Sequence, residues 1–109
     1  MKKVILSLFL VLSVTLGYAQ KKNVSKAKNL TLMENPDFAA ARTAILPALT
    51  DSTTKNDAAT WHVAGTIGYK ENDAFFQKMV LGQQVDQAQK GKSLMESYKY
   101  FLKAYELDS

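Results

Sequence analysis

Apolar side chains recur along this chain at intervals of three and four, the period of an amphipathic helix, with no sustained alternation of the kind that builds a strand. Val24, Ala27, Leu30 or Leu32, and Met33 predict a short helix over residues 24–33. Phe38, Ala41, Ile45, Ala48 and Leu49 predict a second, in which four alanines between residues 39 and 44 combine helix propensity with room for close approach. A third block carries Trp61, Ala64, Ile67 and Tyr69. Phe75, Phe76, Met79 and Val80 extend its apolar face, either after a break at Asn72-Asp73 or in one longer helix. In the last block Leu94, Tyr98, Phe101 and Tyr105, flanked by Met95 and Leu102, make a stripe wide enough for a core. Lys90, Lys92, Lys99 and Lys103 read as its solvated side, and Tyr100, off the stripe, as an exposed contact.

Local chemistry marks the boundaries. Asn35-Pro36-Asp37 reads as an N-cap, a proline at the first helical position and an acid in the first turn. Pro47 removes a backbone bond and crowds the carbonyl of Thr43, so a kink or an early end is expected there. Thr50 to Asp57 is a polar linker in which Asn56 or Asp57 caps the third helix. Gly65 and Gly68 lie inside that helix, each weakening it by about 1 kcal/mol relative to alanine. Glycines kept at that cost mark close packing against a neighbouring backbone. Gly82 is a stop signal, and the last helix starts at Asp86 or at Ser93, which has Glu96 at capping-box spacing.

The first residues change the picture of where the chain acts. Lys2 and Lys3 precede an apolar run from Val4 to Leu16, and Gly17-Tyr18-Ala19 places small residues where signal peptidase reads them. A cleaved leader over residues 1–19 is expected, with the cut between Ala19 and Gln20. The run falls short of the roughly 20 residues a spanning helix needs, so no stable membrane span is expected after cleavage. Residues 20–109 then form one small all-α domain, near the lower size limit for a single core. The 109-residue chain contains no cysteine, so no disulfide supports that domain. Loss of Lys2 and Lys3 lowers the formal charge from +4 to +2. Lys21, Lys22, Lys26 and Lys28 cluster near the new end without interleaved aromatics, so nucleic acid is not an expected partner.

Helical hairpins in series invite a search for repeats. Trp61-x-x-Ala64-Gly65-x-x-Gly68 and Ser97-x-x-x-Phe101-x-x-Ala104 resemble the two halves of a tetratricopeptide repeat, and Tyr-Glu-Leu-Asp at residues 105–108 resembles its ending. Ala64 replaces a larger aliphatic residue, Gly68 stands where an aromatic belongs with Tyr69 one place late, and Ser109 falls at the closing proline. A weaker earlier copy runs through Ala41, Ile45 and Ala48. The resemblance implies antiparallel helix hairpins in a tetratricopeptide-like α-solenoid fragment, with Trp61, Ala64, Gly65, Ser97, Phe101 and Ala104 packing one helix on the other. It also implies a partner groove on the first helix of the pair, where His62, Thr66, Tyr69 and Lys70 fall. From Gly68 to Ser97 the chain is about 20 residues longer than such a repeat allows. An elongated first helix or an inserted helical segment over residues 72–92 is expected.

Catalytic chemistry has no foothold in the sequence. His62 is the single histidine, and no carboxylate pair sits with a His or Cys at metal-ligand spacing. Glu71 and Asp73 read as solvent-facing. Gly65-x-x-Gly68 lacks the Lys and Ser or Thr of a phosphate loop. The expectation is a non-enzymatic scaffold without cofactor or metal, exported to the periplasm or envelope of a Gram-negative bacterium, holding a protein or peptide partner; a homo-oligomer fits the same pattern. One alternative is the N-terminal helical region of a larger exported protein whose catalytic or ligand-binding unit lies beyond residue 109. It is motivated by a final apolar helix with no polar capping helix after it. Another is a membrane-tethered adaptor that keeps its leader.

Overall fold

The computed structural model describes residues 19–108. Most of the expected leader, up to Tyr18, lies outside them, as does Ser109. Helix α1 occupies residues 19–32 of the described chain and buries Ala27 and Thr31. The chain then turns through residues 33–37 into α2, Phe38–Ile45. Asp37, not Asn35, is the N-cap: its carboxylate accepts from the Ala40 amide at 3.0 Å, the third helical position that a capping side chain reaches. Pro36 therefore stands before the helix, outside its first turn. Pro47 acts as expected. The α-helix ends at Ile45 and tightens into a 3-10 turn, Leu46–Leu49.

Linker residues 50–57 are anchored rather than loose. Buried Thr54 donates to the Ala48 carbonyl at 2.6 Å, and the Trp61 indole N–H donates to the Lys55 carbonyl at 2.6 Å. Asp57 caps α3 by accepting from the Ala59 amide at 3.1 Å. Helix α3, Ala58–Val80, runs unbroken through Asn72-Asp73. It ends at Gly82, whose φ of +78° suits a residue without a side chain. The Gly82 amide donates to the Met79 carbonyl and the Gln83 amide to the Lys78 carbonyl, at 3.0 and 2.9 Å. That pair of bonds satisfies the carbonyls a helix end leaves free. Helix α4, Gln87–Asp108, opens with Asp86 accepting from the Gln89 amide at 3.1 Å, so Ser93 lies well inside it. The extra length between Gly68 and Ser97 is thus carried by both helices, joined by a short turn.

Helices α3 and α4 form an antiparallel hairpin. Gly65 meets Phe101, Gly68 meets Ser97, and Asn72 bonds the Lys90 carbonyl, so position falls on α4 as it rises on α3. Behind α3, the core joins Ala27 of α1 and Ala41, Ala44, Ile45 and Ala48 of α2 and its 3-10 extension to Val63, Ala64 and Ile67. Ala41, Ile45 and Ala48, the proposed weaker repeat copy, are all buried. The described residues are helical and turn segments, with no strand among them. None of their helices is long and apolar enough to cross a membrane.

The face that α4 buries differs from the one its apolar pattern predicts. Ser93, Ser97 and Ala104 are buried, whereas Leu94, Tyr98 and Tyr105 are 51, 67 and 72% exposed, with Met95 and Leu102 also exposed. Tyr100, expected to point away, is half-buried against the core. The cause is the surface α3 offers. A Cβ on Gly68 would stand 2.5 Å from the Ser93 carbonyl oxygen and 3.3 Å from the Ser97 Cβ. Backbones that close admit serine and alanine and exclude leucine and tyrosine. Size selected the buried face over hydrophobicity.

Candidate functional site

Two arrangements carry the polar and surface chemistry of the molecule. The first is a clasp at the junction of α2, α3 and α4. Arg42 lies on α2 and turns its guanidinium onto Glu71 of α3 through two parallel bonds, Nη1 to Oε2 at 2.9 Å and Nη2 to Oε1 at 3.0 Å. Its Nε donates to Glu96 of α4 at 3.1 Å. Gln89 Nε2 and the Ser93 hydroxyl add donors to Glu71 Oε1. Burial alone would push the Glu71 carboxyl up, but the bonds from Arg42, Ser93 and Gln89 and the charge of Arg42 hold it below the usual carboxylate range. The hydrogen bond to Glu71 likewise raises Arg42 above its ordinary value, against burial. Burial, then the charge of Glu96, raises the Tyr100 phenol, with Arg42 opposing.

This clasp overturns the reading of Glu71 as solvent-facing, since its side chain is only 12% exposed; Asp73 is exposed as expected. Sequence reasoning also missed Arg42, Glu96 and Gln89. Their separations, 29 residues from Arg42 to Glu71 and 54 from Arg42 to Glu96, leave no local signal. Both Glu71 oxygens already accept protein donors, so the cluster closes on itself and locks three helices together.

The second arrangement is a groove of about 570 Å³ between α1 and the first half of α3. Val24, Ser25 and Thr31 form one wall; His62, Val63 and Thr66 form the other. His62 and Thr66 are one turn apart on α3 and so share a face. The Thr66 hydroxyl donates to the His62 carbonyl at 2.8 Å, which leaves its methyl and the His62 imidazole for contact. The imidazole also stands 5.4 Å from the Phe101 ring centre and borders a smaller hollow of about 380 Å³ with Phe101 and Tyr105. Tyr69 and Lys70, the other two expected groove residues, do not line the groove. Lys70 sits a further turn along α3, and Tyr69 is rotated onto the outer side of the hairpin, 59% exposed.

Of the residues expected to pack the hairpin, Trp61, Gly65, Ser97 and Phe101 lie at its seam, while Ala64 is buried in the core shared with α1 and α2. Ala64, Gly65, Ser97 and Ala104 are buried, and a Cβ on Gly65 would fall 2.6 Å from the Phe101 ring. Trp61 stacks at a tilt 5.7 Å from Tyr100, with the Lys103 ammonium 5.9 Å from the indole centre, a cation–π distance. Among the described residues no group of His, Asp and Glu is placed to hold a metal ion. Compared with known proteins, the chain matches no family model, no curated protein and no solved structure.

Proposed function

We propose that this chain is a tetratricopeptide-type scaffold of the bacterial cell envelope, non-enzymatic, which holds a protein partner in the groove between α1 and α3. The observation that carries the reading is the groove itself, set on the first helix of the pair and bordered by His62 and Thr66. The seating of the Phe101 ring on Gly65 supports it, because wedging rings beside minute side chains is how such a repeat apposes its helices. The cleft sets Val24, Leu32 and Val63 among Ser25, Lys28, Thr31, His62 and Thr66, a lining that suits a peptide segment offering both apolar side chains and hydrogen-bonding groups. Export follows from the leader at residues 1–19, and chain recovered from a Gram-negative periplasm is expected to begin at Gln20.

The test is paired capture from envelope extract. Wild-type protein should retain a protein that His62→Glu combined with Thr66→Arg releases, while both give the same helical circular dichroism. Identical capture by the two forms would remove the groove from the function.

A further inference from the structure

We propose that the side of the α3–α4 hairpin turned away from α2 is the seat of a second copy of this chain, so that two hairpins stack about a two-fold axis as a four-helix dimer. The face is what remains once the other contacts are placed. On α4, Ser93, Ser97 and Ala104 are buried against α3, and Gln89, Glu96 and Tyr100 lie towards the Arg42 clasp. Leu94, Tyr98, Leu102 and Tyr105 are left, between 45 and 72% exposed. On α3, Val63, Ile67 and Glu71 face the α1 and α2 side and Gly65 and Gly68 face α4. Tyr69 and Phe76 remain, 59 and 52% exposed, with the exposed Asp73 on the turn between them. In an antiparallel pair with α2 on one side of both helices, these two leftover faces adjoin.

Three observations favour a second copy as the occupant. The exposed side chains offer on the order of 800 Å², the area each partner of a stable complex buries. The stripe at positions 91, 94, 95, 98, 102 and 105 holds no Lys, Arg, Asp or Glu. A two-fold interface sets each group near its own kind, so an uncharged α4 stripe placed on the axis suits self-association. Gly91 is the third. Glycine weakens a helix relative to alanine, and Gly65 and Gly68 are explained by the atoms a Cβ would strike. A Cβ on Gly91 meets nothing within 4 Å in a single copy. Gly91 lies on the stripe seven residues before Tyr98, and Tyr105 seven residues after. An axis at Tyr98 therefore sets Gly91 across from Tyr105 of the second copy, a ring over a glycine, as Phe101 sits over Gly65.

The full chain tests this. Sedimentation over a concentration series should show a dimer, which Leu102→Glu turns into a monomer of unchanged helicity. Gly91→Ala separates the readings without relying on a charge. In a lone copy it adds helix propensity in open space and raises Tm, whereas in the dimer it crowds the opposing ring and raises the dimer Kd at least about tenfold. The chain has no cysteine, so Tyr98→Cys should give a disulfide-linked dimer under mild oxidation while Thr43→Cys, exposed on α2, does not. A wild-type chain that stays monomeric at every concentration overturns the proposal. So does a dimer indifferent to Leu102→Glu and Gly91→Ala, or one that Tyr98→Cys fails to link.

Discussion

At the scale of single residues, the glycines of α3 set what α4 can bury. Their meaning was legible in the sequence, because a glycine inside a helix needs a compensating contact and both found one. The consequence for α4 was not legible. Its apolar residues span an arc broad enough for two faces, and only the shallow surface opposite decides that Ser97 goes in and Tyr98 stays out. Tyr100 and Tyr98 exchange their expected places for that reason. The two glycines differ in what a methyl group would meet: at Gly65 a ring able to turn, at Gly68 the backbone of Ser93 at 2.5 Å. Gly68→Ala must therefore push the helices apart, and its cost is expected at about 2–3 kcal/mol. Gly65→Ala should cost about 1 kcal/mol, since part of the strain is offset by alanine's better helix propensity. Denaturant unfolding of the two variants gives the comparison, and a larger loss at Gly65 would show that the Phe101 ring is the stiffer neighbour.

Between elements, the helix ends and the clasp contrast in how they are encoded. Asp57, Asp86, Pro47 and Gly82 act within a few residues of themselves, so their boundary signals were readable in the chain. At Asn35-Pro36-Asp37 the same chemistry was visible but slid by two residues, because a carboxylate can cap wherever it reaches the third amide. The clasp depends on three helices meeting and had no such signal. Its loss is expected to be felt throughout the helical domain. Arg42→Ala strands Glu71, which is shielded by the fold, and should cost about 2 kcal/mol, between the values for exposed and fully buried pairs. Because the folded state holds Glu71 below its ordinary range, that carboxylate favours folding above the usual value of about 4.3. The contribution is lost as pH falls through the lower folded value. Thermal melts from neutral to acid pH should show wild type losing more stability than Glu71→Gln. Equal acid sensitivity in the two would place the linkage on another carboxylate.

The whole molecule is asymmetric along the hairpin, and this was only half visible in the pattern. Continuity of α3 through Asn72-Asp73 was one of two readings left open by the apolar spacing, and nothing in that spacing tells how far the covered part of the helix extends. Buried residues of α3 run only from Thr60 to Gly68, and those of α4 from Ser93 to Ala104. Beyond them, Phe76 to Val80 are exposed and the turn is held by its own hydrogen bonds. Stability follows buried contacts, so the two ends should open with different free energies. At concentrations low enough to keep single copies, amide exchange in residues 61–68 should proceed only through global unfolding, and residues 76–80 should exchange faster through local fraying of the tip. Uniform protection along α3 would mean that the distal turns are held by something other than side-chain burial. The division matters for binding because the His62–Thr66 wall lies on the protected half, packed against α1 and α2. A ligand entering there meets a surface already fixed by the core and has little ordering cost to overcome, whereas any partner of the tip must first still it.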